Sequence, residues 1–92
     1  MLRILKNIFT KKQFPRVEFR PKGRSGYIAY VDTSQECKME FEMSGNKEFD
    51  ILAYTDTLEN WSNGKSVSNE EKQIILNAFQ DWAELKKFRV QW

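Results

Sequence analysis

The acidic middle of the chain holds the side chains whose types and spacing come nearest to a chemical site. Four carboxylates fall at alternate positions on two neighbouring segments: Glu40, Glu42, Glu48 and Asp50. Paired carboxylates serve as general acid and base in hydrolases, or bind a hard cation such as Ca²⁺. Acid–base work needs a pocket that separates their pKa values, whereas the alternation places these four on an exposed sheet face. We therefore expect neither catalysis nor a metal site there.

Composition removes most other enzyme chemistry. The 92 residues include no histidine and a single cysteine, Cys37. Imidazole acid–base catalysis, Cys/His zinc sites and intramolecular disulfides are therefore excluded. The four glycines are isolated from one another, so the chain has no phosphate-binding glycine loop. Cys37 falls within an apolar alternation and is expected to be a buried, reduced thiol of a cytoplasmic protein. The composition predicts a non-enzymatic protein that needs no cofactor.

Charge is unevenly distributed along the chain, although the net charge is only +2. Residues 1–24 carry eight basic side chains and one acid, whereas residues 32–59 carry eight acids and two lysines. This asymmetry predicts a dipolar surface with a basic end and an acidic face. The acidic face suits a basic protein. The alternative is that the two charged regions attract each other within the fold and form ordinary solvated surface.

The basic end suits nucleic acid, since cations bind phosphates while the interleaved Phe14, Phe19 and Tyr27 could stack on bases. The chain lacks the sequence patterns of common RNA-binding modules, and its acidic middle would repel a phosphate backbone. The candidate nucleic-acid residues are the basic side chains of this end: Lys11, Lys12, Arg16, Arg20, Lys22 and Arg24.

Alternating apolar and polar residues predict strands at 17–20 and 37–43. The β-branched and aromatic run 27–31 predicts a strand buried substantially on both faces, and turns are expected at 21–26 and 32–35. The third strand is the clearest, because Cys37, Met39, Phe41 and Met43 alternate with Lys38, Glu40 and Glu42. A returning strand over 48–54 is expected to form an antiparallel hairpin with it.

The register of that hairpin is restricted by parity. Paired residues have a constant index sum, and only an even sum keeps apolar residues opposite apolar ones. An even sum also sets acids opposite acids: Glu42 opposite Asp50 or Glu48, or Glu40 opposite Asp50. Directly opposed like charges are mildly destabilising, so the stability of the fold does not explain the predicted carboxylate cluster.

The strongest local signal is a helix start at Ser68 and Glu71, which have the spacing of a capping box. Ile75, Phe79 and Trp82 then recur at helical spacing, which predicts a helix over 69–86, about 27 Å long. Residues 88–92 alternate again and predict a final strand. The whole chain, 1–92, is expected to be one α+β domain with a mostly antiparallel sheet of about five strands and the helix on one face.

Two segments leave alternatives open. Residues 1–12 carry apolar side chains on one helical face, which predicts a short helix packed on the domain, with a membrane-surface or partner-docking helix as the alternative. They lack the apolar core of a secretory signal, and no apolar run is long enough to span a membrane. Trp61, in a loop over 55–67, is either an anchor that closes the core or an exposed contact residue.

The order of the elements resembles a known family. Sheet strands, Trp61, a capped helix start and a closing strand resemble small bacterial immunity proteins of polymorphic toxin and contact-dependent growth inhibition systems. The nearest pattern is the immunity protein 74 family, and the likeness covers roughly residues 27–92. The helix start carries it through these residues: Val67, Ser68, Glu71, Lys72, Ile75 and Leu76.

The resemblance implies a cytoplasmic, non-catalytic protein that binds and neutralises one cognate toxin domain. Nuclease toxins are often basic, which fits the acidic sheet face. A nucleic-acid-binding or phage-type regulatory protein that uses the basic segment 1–24 is the alternative. The hypothesised partner-binding residues are the acids of the face and the aromatic residues near them: Glu40, Glu42, Glu48, Asp50, Tyr54, Asp56 and Trp61.

Overall fold

Tight turns fold the first three strands into an antiparallel meander in the computed structural model, which describes residues 14–92. β1 (Arg16–Lys22) pairs with β2 (Ser25–Asp32), and β2 pairs with β3 (Gln35–Met43). Only two residues separate each pair of strands. Gly23 in the first turn has a φ of 67°, a conformation that glycine adopts without steric cost. The three strands are the predicted ones; β1 and β2 are longer than predicted at both ends, and β3 is longer at its start.

Two shorter strands complete the sheet. β4 (Ile51–Tyr54) pairs antiparallel with β3, and β5 (Val90–Gln91) pairs parallel with β4. The sheet has the order β1-β2-β3-β4-β5, so neighbours in the chain are neighbours in space except for the crossover from β4 to β5. This confirms the predicted α+β fold with a mostly antiparallel five-stranded sheet.

The helix α1 (Asn69–Lys86) has the predicted bounds. Its capping box is complete: Glu71 N donates to Ser68 Oγ at 3.1 Å, and Ser68 N donates to Glu71 Oε1 at 2.9 Å. These bonds satisfy two polar groups that a helix start would otherwise leave unpaired. The helix ends where Lys87 takes a left-handed conformation and its N–H turns back to Glu84 O.

The core lies between α1 and one face of the sheet, which we call the inner face. Phe79 from the helix and Ile28, Met39 and Phe41 from the sheet are each at most 1% exposed. Next to them the ring of Phe19 stacks on Phe41 with centroids 4.9 Å apart. Strand alternation therefore fixes which side chains enter the core and which project from the opposite, outer face.

The predicted partner of β3 was placed too early in the chain. Residues 44–50 form a connection, and β4 begins only at Ile51. The even parity is correct, but Glu42 lies opposite Leu52 and Glu40 opposite Tyr54. The predicted acid-to-acid pairs are therefore wrong. The physical reason is that the backbone of Asp50 pairs with Ser44, whose N–H donates to Asp50 O at 2.9 Å, while the Asp50 carboxylate binds Arg89.

Trp61 closes the core. Its side chain is 7% exposed, packs edge-on against Tyr30 and donates from Nε1 to Glu71 Oε1 at 3.3 Å. Its backbone bridges to Cys37, and so covers the part of β3 that β4 leaves unpaired. Of the two roles considered for Trp61, the structure shows the core anchor.

The predicted N-terminal helix over 1–12 lies outside the described residues, as do Lys11 and Lys12. In the part of the chain from Phe14 onward, no helix combines the length and apolar character needed to cross a bilayer.

Cys37 is 1% exposed, and burial raises the pKa of its thiol to about 11. The thiolate is the reactive form, so the native protein should not react with a disulfide reagent at about pH 8 within minutes. In denaturant the same thiol should react at once. Absorbance of the released thiolate measures both. Rapid, stoichiometric reaction of the native protein would contradict the buried position.

Candidate partner-binding face

The outer face of the sheet carries most of the charged side chains that the strands display. β1 contributes Arg16, Glu18 and Arg20 by alternation, and β3 contributes Glu36, Lys38, Glu40 and Glu42. β2 lies between them and places small or apolar residues there, including Ala29, which is fully buried. The face therefore has a basic half on β1 and an acidic half on β3, beside which β4 places Leu52 and Tyr54.

An ion-pair network joins the two halves at one end. Arg20 Nη1 lies 2.7 Å from Glu36 Oε2, and Arg20 Nη2 lies 2.7 Å from Glu18 Oε1. Arg16 also pairs with Glu18. The guanidinium of Arg20 reaches across β2 because Ala29 is small, which explains why Ala29 is buried. The hydrogen bonds from Arg20 and Arg16 lower the pKa of Glu18, and those from Arg20 lower the pKa of Glu36.

The four proposed nucleic-acid residues that lie within residues 14–92 do not form one free patch. Arg16 and Arg20 are held by carboxylates of the same chain. Lys22 and Arg24 are exposed at the turn between β1 and β2, beside rather than within that network. The positive charge predicted for this end is therefore partly neutralised in the fold.

The acidic half contains a row of three neighbours on three adjacent strands. Tyr27 on β2 lies opposite Glu40 on β3, and Glu40 lies opposite Tyr54 on β4. The tyrosines are 42% and 40% exposed. The hydroxyl of Tyr54 donates to Glu42 Oε1 at 2.5 Å, and this bond raises the pKa of Tyr54. We call Tyr27, Glu40 and Tyr54 the tyrosine–glutamate row.

A groove of about 490 Å³ runs beside this row. Tyr27, Lys38 and Glu40 line it from the sheet, and the segment 57–62 forms its other wall. Two hydrogen bonds from backbone N–H groups of β3 to side-chain hydroxyls hold that wall in place. Glu40 N donates to Thr57 Oγ1 at 2.8 Å, and Glu36 N donates to Ser62 Oγ at 3.0 Å. Glu59 adds a further carboxylate, so the groove has acidic walls and an aromatic end.

The structure brings together three of the seven predicted partner-binding residues, namely Glu40, Glu42 and Tyr54. Asp56 is exposed in the short 3₁₀ turn Thr55–Thr57 that follows β4. Glu48 is exposed in the connection 44–50, away from the strand alternation. The remaining two serve the fold, since Trp61 is in the core and Asp50 secures β5.

Asp50 has a structural role that its sequence position does not reveal. Arg89 N donates to Asp50 Oδ2 at 2.8 Å, and Arg89 Nη2 lies 3.1 Å from Asp50 Oδ1. The backbone N–H of Asp50 in turn donates to Arg89 O. The bonds from Arg89 lower the pKa of Asp50. This pair fixes the start of β5 beside the start of β4, so Asp50 is occupied within the molecule.

Sequence reasoning missed Tyr27 and Glu59 as parts of the face, and it placed Lys38 on the same strand face as Glu40 without a role in binding. For Tyr27 a signal was available. A two-residue turn at Thr33 and Ser34 sets Tyr27 opposite Glu40, and the turn predicted over 32–35 is compatible with it. Glu59 lies in a loop, where alternation gives no information about its direction.

Four carboxyls have lowered pKa values because they accept hydrogen bonds in the native state: Glu18, Glu36, Asp50 and Glu71. Their stabilisation is present above the pKa of an unfolded carboxyl, about 4.3, and is lost as pH falls through the lower native values. We expect the midpoint temperature of thermal unfolding to decrease as the pH is lowered from about 5 to about 2. Glu36→Gln should reduce that dependence and cost about 1 kcal/mol or less at neutral pH.

Thermal melts followed by circular dichroism across this pH range test the effect. Glu84→Gln, at an exposed helix position, is the matched control and should leave the pH profile unchanged. A profile that is the same in Glu36→Gln and in the unmodified protein would contradict the role given to the network.

Among residues 14–92, no three carboxylate or cysteine groups are placed to hold a metal ion. The outer face presents two exposed tyrosines, the exposed carboxylates of Glu40 and Glu42, and a groove. Comparison with models of protein families, with curated proteins and with solved structures finds no match. The role of the face is therefore argued from its geometry.

Proposed function

We propose that this chain is a non-catalytic binding protein that neutralises a bacterial toxin domain by holding a basic surface of that domain on the acidic half of the outer face. The observation that carries the proposal is the tyrosine–glutamate row beside the acidic groove. Burial in the core does not account for tyrosines that are exposed on the outer face of the sheet. Exposed tyrosines are, however, common anchors in protein interfaces. That the partner is a toxin domain is what the resemblance of the sequence to bacterial immunity proteins implies.

Each part of the face would contribute differently to binding. Tyr27 and Tyr54 offer large contact areas with few rotatable bonds, so they supply affinity at low entropic cost. Glu40, Glu42 and Glu59 attract a basic partner over a distance, which raises the association rate and favours one orientation. The α1 side of the molecule has no comparable combination of exposed aromatic and acidic residues among those described.

The nucleic-acid alternative has weaker support from the contacts of Arg16 and Arg20. A phosphate would have to displace Glu18 and Glu36 from these guanidinium groups, at the cost of bonds as short as 2.7 Å. Among the basic residues of that segment that the structure describes, Lys22 and Arg24 stay exposed, and two phosphate contacts give weak, salt-sensitive binding.

A charge-reversal pair tests the proposal. Glu40→Lys with Glu42→Lys should slow association with the partner by about tenfold or more at low ionic strength. The difference should shrink when salt screens the charges. Affinity capture from an extract of the source organism, with and without nuclease, supplies the partner, and stopped-flow fluorescence of the purified pair measures the rate.

The matched control is Asp81→Lys with Glu84→Lys, which makes the same change in net charge on exposed positions of α1. This variant should associate at nearly the normal rate. The partner alone should arrest bacterial growth, and co-expression of this chain should restore it. Capture of nucleic acid instead, or equal rates for the two variants, would contradict the proposal.

A further inference from the structure

Lys38 already places a cation on the acidic half of the outer face. Its Nζ lies 4.7 Å from the centroid of the Tyr27 ring, which is cation–π geometry. Lys38 and Tyr27 are on adjacent strands, and both line the groove. The ring face of Tyr27 therefore attracts a positive group in the free protein. Exposed carboxylates alone would not distinguish this groove from other solvated surface. The tyrosine beside them already holds a cation, which indicates that the groove receives a cationic group.

Glu40, next to Tyr27, has no cation of its own in residues 14–92. The ion pairs of that part of the chain involve Glu18, Glu36 and Asp50, and neither Glu40 nor Glu42 belongs to them. Glu40 is exposed and lies between two tyrosines. Neighbouring strands are about 4.8 Å apart, so the backbones that carry Tyr27 and Tyr54 are about 10 Å apart, with the strand of Glu40 between them. This spacing leaves room for one planar group.

The adjacent part of the face shows how an arginine lies on this sheet. Arg20 extends from β1 across β2 and binds Glu36 on β3 through two nitrogens, at 2.7 and 3.0 Å. Glu36 and Glu40 are on the same strand and project from the same face. At Glu36 the fold supplies the guanidinium. At Glu40, on the same face of the same strand, the carboxylate has no such guanidinium among residues 14–92.

We infer that the tyrosine–glutamate row is a receptor for one arginine side chain of the basic partner, and that Lys38 occupies part of this receptor in the free protein. The inference rests on the proposed function and names the group that the face recognises. Arginine fits better than lysine because its planar guanidinium can bind a carboxylate through two nitrogens while it stacks on an aromatic ring. Lysine offers one compact charge, which Lys38 already supplies.

Two short peptides serve as probes, hexa-arginine and hexa-lysine, added to the full ¹⁵N-labelled chain while its amide signals are followed by NMR. We expect hexa-arginine to bind at least about threefold more tightly than hexa-lysine. The largest shifts should fall at Tyr27, Glu40 and Tyr54. The spectrum of each variant also shows directly whether it is folded.

Four variants locate the receptor. Glu40→Gln and Tyr27→Leu should each weaken hexa-arginine binding by about three- to tenfold, whereas Tyr27→Phe, which keeps the ring, should bind normally. Lys38→Gln should strengthen binding by about threefold, because it frees the ring and removes a repelling charge. Glu84→Gln and Lys86→Gln, both at exposed helix positions, are the charge-matched controls and should change affinity little.

The outcomes separate this inference from the proposed function. If both peptides bind the acidic half of the face with equal affinity, the arginine receptor is wrong while an acidic docking face remains. The same holds if Lys38→Gln and Lys86→Gln have the same effect. If neither peptide shifts the signals of this face, both proposals fail.

Discussion

Replacing Phe79 by alanine should lower the free energy of unfolding by about 3–5 kcal/mol. Phe79 is fully buried in α1, in the core cluster that the helix forms with the inner face of the sheet. The substitution removes its burial and leaves a cavity that surrounding strands cannot fill without moving. A domain of this length is stable by about 5–14 kcal/mol in total, so the loss is a large part of the whole.

Urea unfolding, followed by tryptophan fluorescence and by circular dichroism, measures the change. The matched control is Leu85→Ala in the same helix, where the side chain is 82% exposed. That variant should change stability by less than about 0.5 kcal/mol. Similar losses in the two variants would mean that α1 does not pack on the sheet through the face described. They would also remove the support that keeps the outer face rigid.

The helix could be predicted to the residue because its signals are local. The capping box of Ser68 and Glu71 and the apolar stripe through Ile75 and Phe79 act within a few turns of chain. Such signals need no knowledge of the rest of the fold. The first three strands were predictable for a similar reason, since alternation and two-residue turns fix their pairing together.

The register of β4 could not be predicted because parity leaves several pairings with β3 open, and a distant contact also acts at the start of β4. Asp50 binds Arg89, 39 residues further along the chain, and this pair aligns β4 with the parallel strand β5. Parity restricted the register to pairings whose residue numbers have an even sum, but it could not select one of these pairings. The carboxylate cluster expected from the earlier register therefore disappears, and a tyrosine lies opposite Glu40 in its place.

The proposed binding face was predictable only in its strand part. Glu40, Glu42 and Tyr54 follow from the alternation of their strands, and the structure places them together. The loop wall of the groove depends on bonds from the backbone of β3 to Thr57 and Ser62, which no local pattern shows. Burial of Trp61 likewise depends on the unpaired part of β3, which only the finished sheet defines.

The face also depends on a close approach of two strands at Gly26, which leads to the second large effect. A Cβ atom at Gly26 would lie 2.3 Å from Arg20 O and 2.8 Å from Pro21 Cα, both of them backbone atoms of β1. Its φ of 157° adds strain for any other residue. Because backbone cannot move aside as a flexible side chain can, Gly26→Ala should cost at least about 2 kcal/mol.

Gly26→Ala should alter the outer face as well as the stability. Gly26 precedes Tyr27, and Tyr27 lies opposite both Arg20 and Glu40. Moving β1 away would disturb the bonds of Arg20 and shift the tyrosine–glutamate row. Gly45→Ala is the matched control, since its Cβ would meet only a side-chain atom of Arg24 at 3.9 Å. It should change stability by less than about 0.5 kcal/mol and leave the amide signals of the face in place. If Gly26→Ala is tolerated as well as Gly45→Ala, β1 does not approach β2 as closely as described. The ion-pair network over Ala29 would then lack the geometry that keeps Arg20 away from outside partners.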